Sequence, residues 1–229
     1  MSRTAWRLAG AFAIGHVVLI LAGISQQDTL LLGDDAGTVT EQYVHGDMTR
    51  TFAGGYVEAL GLLLLLPVVA FLAQAVGRRT EAGAWAARTA FAAGTGYVLL
   101  SLAPGLAAGA AAMYHAQHGL DVATVAVVND VRVLAFFMSL LLLGVHTLGI
   151  AVGVLTDHVL PAWLGWTAIA TAVVLLGGVP FAIHGVADYA TLLWILWFIA
   201  LATVMLRHRP QGADAGAGAD RRAAAATSV

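Results

Sequence analysis

The stretch that decides the fold is Ala53–Val76, AGGYVEALGLLLLLPVVAFLAQAV. It carries one formal charge, at Glu58, and apart from Gln74 near its end is otherwise apolar, aromatic or small. The hydrocarbon core of a bilayer is about 30 Å thick, and about 20 apolar residues of helix cross it. The run is continuously apolar rather than alternating, which excludes a strand of a membrane β-barrel. Five other runs have the same character. In chain order the six are Ala5–Ile24, Ala53–Val76, Trp85–Ala112, Arg132–Leu155, Pro161–Ile183 and Tyr189–Leu206. They predict an all-α polytopic bundle of six transmembrane helices in one domain, residues 1–209. The remaining residues, 210–229, are alanine, glycine and arginine with little else, and are expected to form a disordered cytoplasmic tail.

Composition agrees. Of 229 residues, 60% are hydrophobic and 10% charged, with a mean hydropathy of +0.85. A soluble domain carries about 25% charged residues. The absence of cysteine excludes disulfides, thiol redox chemistry, iron–sulfur clusters and thiolate metal sites. All eleven cations are arginine, so a lysine Schiff base or lysine nucleophile is excluded too. A net charge of -2 gives no reason to expect a nucleic-acid partner. The partner expected is the lipid bilayer, with a lipophilic small molecule or a membrane protein beyond it.

Arginines set the expected orientation. With the N-terminus inside, Arg3, Arg7, Arg78, Arg79, Arg88, Arg207, Arg209, Arg221 and Arg222 are cytoplasmic, and only Arg50 and Arg132 fall toward the outside. Cytoplasmic segments carry an excess of basic residues, so both termini are expected inside the cell membrane. Trp6, Trp85, Trp163 and Trp166 would lie at the inner interface. Arg3 and Arg7 ahead of an apolar run also describe a signal peptide. The run is long for that role and no A-x-A site follows, so it is read as the first span.

Three further features bear on architecture. Spans three and four are longer than a bilayer needs, so 109–134 is expected to protrude as a helical hairpin turning near Gly119. Pro67, Pro104 and Pro180 are expected to bend their spans. The pairs Gly105/Gly109 and Gly149/Gly153 have the spacing of close helix packing. The loop Ser25–Thr51, with Asp28, Asp34, Asp35, Glu41 and Asp47, is long enough to form a small outer cap.

The segment Tyr43–Tyr56, YVHGDMTRTFAGGY, follows one span and an acidic loop and leads straight into an apolar helix. This layout resembles an uncharacterised group of six-span integral membrane proteins of actinobacterial type, a family labelled as a domain of unknown function. The resemblance covers Ala5–Arg79 best. It implies architecture and location and brings no catalytic motif.

Ionisable residues inside spans are costly, so they face the bundle interior and find partners. Glu58 lies about two turns into span two, with Gly54 and Gly61 at i−4 and i+3 on its face, which marks that face as buried against another helix. Asn129, Asp130 and Arg132 open span four. Tyr114, His115 and His118 close span three. His184 and Asp188 flank the turn between spans five and six, Tyr56 stands beside Glu58, and His45 and Asp47 precede span two. All fall toward the outer side. The candidate catalytic residues are Glu58, Asp130 and Arg132; the candidate ligand-binding residues are Tyr56, Tyr114, His115, His118, His184 and Asp188. Arg132 is the only cation near the outer half of any span. The sequence therefore predicts Glu58 close to Arg132, with His115 or His184 nearby.

Several chemistries could use this set. A carboxylate with a raised pKa could act as general acid on a lipophilic substrate. A carboxylate–arginine–histidine relay could carry protons in a transporter. The same residues could hold a lipophilic ligand or protein partner without turnover. His115, His118 and His184 lack the H-E-x-x-H signature, so no metal is expected. His16 and His146 stand mid-span and could ligate a haem. Hydrogen bonding of each ring to a neighbouring helix carbonyl is the simpler expectation, and no cofactor is assigned. An internal inverted repeat, frequent in transporters, is not evident.

Overall fold

The computed structural model describes residues 1–27 and 30–208. The tail expected over 210–229 lies outside them. Eight α-helices build the described chain: α1 Arg3–Ile24, α2 Ala36–Val39, α3 Met48–Val76, α4 Glu81–Leu100, α5 Ala108–Ala116, α6 Val122–Asp157, α7 Ala162–Gly178 and α8 Val186–Arg207. No strand occurs among the described residues. A π-helical segment, Ser101–Ala107, joins α4 to α5 without a break, so Glu81–Ala116 is one long rod. A second π segment, Thr40–Val44, follows α2, and a 3-10 turn, Val179–His184, extends α7.

Six of these units are long and apolar enough to cross a membrane. Their lipid-like exterior is explicit: Leu8, Val18, Leu63, Leu99, Val173 and Leu196 are all about half exposed or more. The helices form a closed ring in which α1 packs on α3 and α8, α3 on α4, α4 on α6, α6 on α7, and α7 on α8. The core holds Leu62, Leu65, Leu72, Leu140, Leu143, Ile150, Leu175, Phe198 and Leu201. Local signals start the helices. Ser2, Asp35, Asp47, Thr80 and Asp121 each accept a hydrogen bond from the backbone N–H three residues on, occupying a donor that the helix leaves free.

The helical hairpin forms. It turns at 117–121, where Gly119 has φ +90°, a conformation that costs an L side chain energy. The loop after α1 folds back onto it. Leu30, Val39 and Tyr43 pack with Ala112, Met113, Ala116 and Val125 into a second apolar cluster, separate from the bundle core. This is the cap.

The prolines differ in effect. Pro67 is carried inside α3, Pro180 opens the 3-10 turn, and Pro104 sits in the π segment. Proline lacks an N–H, and the wider π turn accommodates the lost bond. Gly149 and Gly153 act as expected. A Cβ on Gly149 would lie 2.7 Å from the Ala86 carbonyl oxygen, and one on Gly153 would lie 2.6 Å from a Val76 methyl carbon. Gly105 has only ordinary contact with the Leu100 carbonyl. Trp6 departs from the interfacial expectation. It is 2% exposed and packs edge-on against Phe71, with the His208 ring 4.2 Å away. Its position on the inward face of α1 overrides the preference of indole for an interface. Trp85, Trp163 and Trp166 are exposed near the same end.

Candidate functional site

Glu58 is positioned by a helix crossing made of missing side chains. A Cβ on Gly23 of α1 would lie 2.7 Å from the Glu58 nitrogen and 2.7 Å from the Gly54 carbonyl oxygen. A Cβ on Gly61 would lie 3.1 Å from the Ile20 nitrogen. The glycine face of α3 therefore rests on α1, as its spacing predicts. Glu58 emerges at the edge of this crossing, half-buried. Its Oε2 accepts from Gln27 Nε2 at 2.6 Å, from the turn that follows α1. Tyr97 of α4 and Arg132 of α6 lie within electrostatic reach of the carboxylate. The Ser101 hydroxyl, at the start of the π segment, stands at the Tyr97 phenol. Such π segments occur frequently at functional sites.

Arg132 ties the bundle to the cap. Its Nε donates to Asn129 Oδ1 at 3.0 Å, and a terminal guanidinium nitrogen donates to the Leu30 carbonyl at 2.5 Å. The Tyr43 hydroxyl donates to the same Asn129 oxygen at 3.1 Å. Burial pushes the Tyr43 phenol above its ordinary pKa, with the nearby guanidinium opposing, so the hydroxyl keeps its proton. Gln117 Nε2 donates to the carbonyls of Tyr43 and Gly46 at 3.1 and 3.0 Å. Gly109 makes room for the arginine stem, since a Cβ there would lie 2.6 Å from Arg132 Cδ. Gly109 thus serves a side chain, not a helix backbone.

The direct Glu58–Arg132 ion pair is not made. Each group has a nearer partner: Gln27 holds the carboxylate, while Asn129, one turn back on the same helix, and the cap carbonyl hold the guanidinium. The two charges interact across the cluster rather than in contact.

The other candidates lie apart. Tyr56 is 67% exposed on the outside of α3. Tyr114, His115 and His118 form their own group on the exposed end of α5. There His118 stacks on Tyr114 at 4.1 Å, and its Nδ1 donates to the Tyr114 carbonyl at 2.6 Å. His184 and Asp188 are exposed beside the 3-10 turn. Asp130 is half-buried and has no hydrogen bond or ion pair among the described residues; it points about 100° around the helix from Asn129. His115 and His184 therefore do not join Glu58 and Arg132. No group of three His, Asp or Glu among the described residues could hold a metal ion.

The mid-span histidines are buried and engaged. Nδ1 of His16 donates to the Gly61 carbonyl at 2.8 Å, joining α1 to α3. Nδ1 of His146 donates to the Ala90 carbonyl at 2.8 Å, joining α6 to α4. A carbonyl only accepts, so both rings carry the proton on Nδ1. His16 also meets the faces of Trp194 and Phe198 edge-on, and Trp194 Nε1 donates to Thr147 Oγ1 at 3.1 Å.

The sequence reading passed over Gln27, Tyr43, Tyr97 and Ser101. One signal was available for Asn129: it is three residues before Arg132, hence on the same helix face. Asp157 was also overlooked. It is fully buried, where its carboxylate accepts from the Arg78 and Arg79 N–H groups at 2.8 and 3.1 Å and from Thr80 Oγ1 at 3.0 Å.

Compared with family models, with curated proteins and with solved structures, the chain has no match.

Proposed function

We propose that this chain is a multi-pass membrane protein, with both termini cytoplasmic, that binds the polar end of an amphiphilic small molecule beside Glu58, beneath the outer cap. The observation that carries the reading is the half-satisfied carboxylate. Glu58 accepts one hydrogen bond among the described residues, while an ionised carboxylate has about four acceptor positions. It is half-buried in an apolar span, where unpaired acceptors are costly. A ligand with a donating head group, an alcohol or an amine, would occupy them, and its chain would lie along the bundle. The orientation rests on the arginine distribution.

A second reading, an intramembrane enzyme using Glu58 in general acid/base chemistry, is favoured by the Tyr97 phenol within electrostatic reach of the carboxylate and the Ser101 hydroxyl at that phenol. Either hydroxyl could pass a proton to or from a bound substrate.

The test uses a dansyl-labelled dodecylamine and the protein in detergent, read by energy transfer from tryptophan. Binding should saturate for the parent and weaken at least tenfold in Glu58→Gln, with Tyr56→Phe unchanged. Non-saturable partition, equal in all three, would overturn the proposal.

A further inference from the structure

A second lipid-accessible feature lies at the opposite end of the bundle. A groove of about 340 Å3 opens between the last turns of α3 and the first half of α4. Ala70, Ala73, Ala84 and Ala87 form its small-residue walls, and Phe91 closes its deeper part. At the shallow end the helices converge: a Cβ on Gly77 would lie 2.6 Å from Ala87 Cβ. Arg88 projects into the groove beside Gln74.

Arg88 differs from the two arginines of the connecting turn. Arg78 Nε donates to the Gln74 carbonyl at 2.7 Å, and an Arg79 guanidinium nitrogen donates to the Asp157 carbonyl at 3.0 Å. Arg88 has no hydrogen bond or ion pair among the described residues. It lies seven residues into α4, about 10 Å along the axis from its start at 1.5 Å per residue. Trp85, 64% exposed, sits three residues before it on the same face, at the depth an interfacial indole takes. An arginine one turn below that level reaches up to the interface, where lipid phosphates lie.

From the apolar walls and the unpaired guanidinium together, we infer that this groove holds an anionic phospholipid, with its phosphate on Arg88 and an acyl chain laid over the alanines toward Phe91. Planar guanidinium groups pair with phosphate oxygens through two parallel N–H donors. Basic pockets between spans on the cytoplasmic side bind anionic head groups in this way. The apolar extension past Arg88 selects a lipid over free phosphate. This inference requires that the helices span a bilayer; it is independent of any ligand at Glu58.

The test is native mass spectrometry and thermal unfolding of the full chain in detergent, titrated separately with phosphatidylglycerol, phosphatidylcholine and inorganic phosphate. The parent should retain one phosphatidylglycerol at least tenfold more strongly than phosphatidylcholine. Arg88→Gln should erase that preference, Arg88→Lys should keep part of it, and Ala73→Trp, which fills the groove, should reduce retention of both lipids. Arg207→Ala, at the same end but outside the groove, should behave as the parent. Equal retention of phosphatidylglycerol by the parent and Arg88→Gln would overturn the inference. So would full protection by inorganic phosphate alone.

Discussion

Replacing Asp157 with alanine should loosen the end of the bundle where α1 begins and α8 ends. The carboxylate is fully buried and receives two backbone N–H groups and one hydroxyl from the turn between α3 and α4. Hydrogen bonds to a charged acceptor contribute about 1.5–3 kcal/mol each. Arg78, Arg79 and Thr80 are exposed, so water recovers part of the loss. Three such bonds total roughly 4.5–9 kcal/mol gross, and because the donors left behind are neutral and reach water, a net cost of roughly 3–5 kcal/mol remains. For a chain of this length each kcal/mol moves Tm by about 2–4 °C, so Asp157→Ala should melt roughly 6–20 °C lower. Asp157→Asn keeps one acceptor oxygen but turns an NH2 toward one set of donors, and should fall between the two. Thermal unfolding in detergent, followed by the fluorescence of the six tryptophans, reads this directly. An Asp157→Ala protein melting within about 2 °C of the parent would refute the reasoning.

Other expectations follow from the same geometry. Gly149→Leu would drive side-chain carbon into the Ala86 carbonyl and should cost about 1–3 kcal/mol or more, measured by the same unfolding assay. Asp35 and Asp121 cap helices that bear the outer cap. Backbone N–H groups hold Asp35 below the usual carboxylate range; the Thr124 hydroxyl and then its N–H do so for Asp121. A depressed folded pKa stabilises above the unfolded value, about 3.9, and is lost as pH falls through the folded one. Hydrogen exchange over 30–48 should therefore be flat from pH 5 to 8, after correction for intrinsic rate, and rise below about 4. Reporter fusions at Asp34, Gly119 and Gly185 should read as external, and those at Thr80 and Asp157 as cytoplasmic. A cytoplasmic signal at Gly119 would reverse the topology.

The six long helices were legible because spanning a bilayer demands length and continuous apolarity, and both are written in single-residue composition. The hairpin was legible for the same reason, as an excess of length over need, and Gly119 marked its turn. The cap was visible only as a loop too long to be idle. Its two short elements, Ala36–Val39 and Thr40–Val44, are below the length at which periodicity can speak, and its core depends on Tyr43 meeting residues some 70 to 80 positions away. Within the site, charge made Glu58 and Arg132 conspicuous. Neutral partners such as Gln27 and Tyr97 look like ordinary span edges or filler until their contacts are placed. Proximity along one side of a membrane was also a poor guide to contact. His115 and His184 share an end of the bundle with Glu58, yet one sits on the hairpin and the other at the turn after α7.

The length of the hairpin has an electrical consequence. Its two arms are 36 residues each, about 54 Å of helix, against a hydrocarbon core of about 30 Å. Both arms are rooted at one end, where Glu81 begins one and Asp157 ends the other. In a bilayer seated at that end the surplus would project from one side only, with the tip around Gly119 about 20 Å beyond the hydrocarbon edge. Charge at the head groups is screened over about 8 Å at physiological ionic strength. The stacked Tyr114 and His118 rings, one turn below the tip, and Asp121 beside it would thus meet partners arriving from water, beyond the reach of head-group charge.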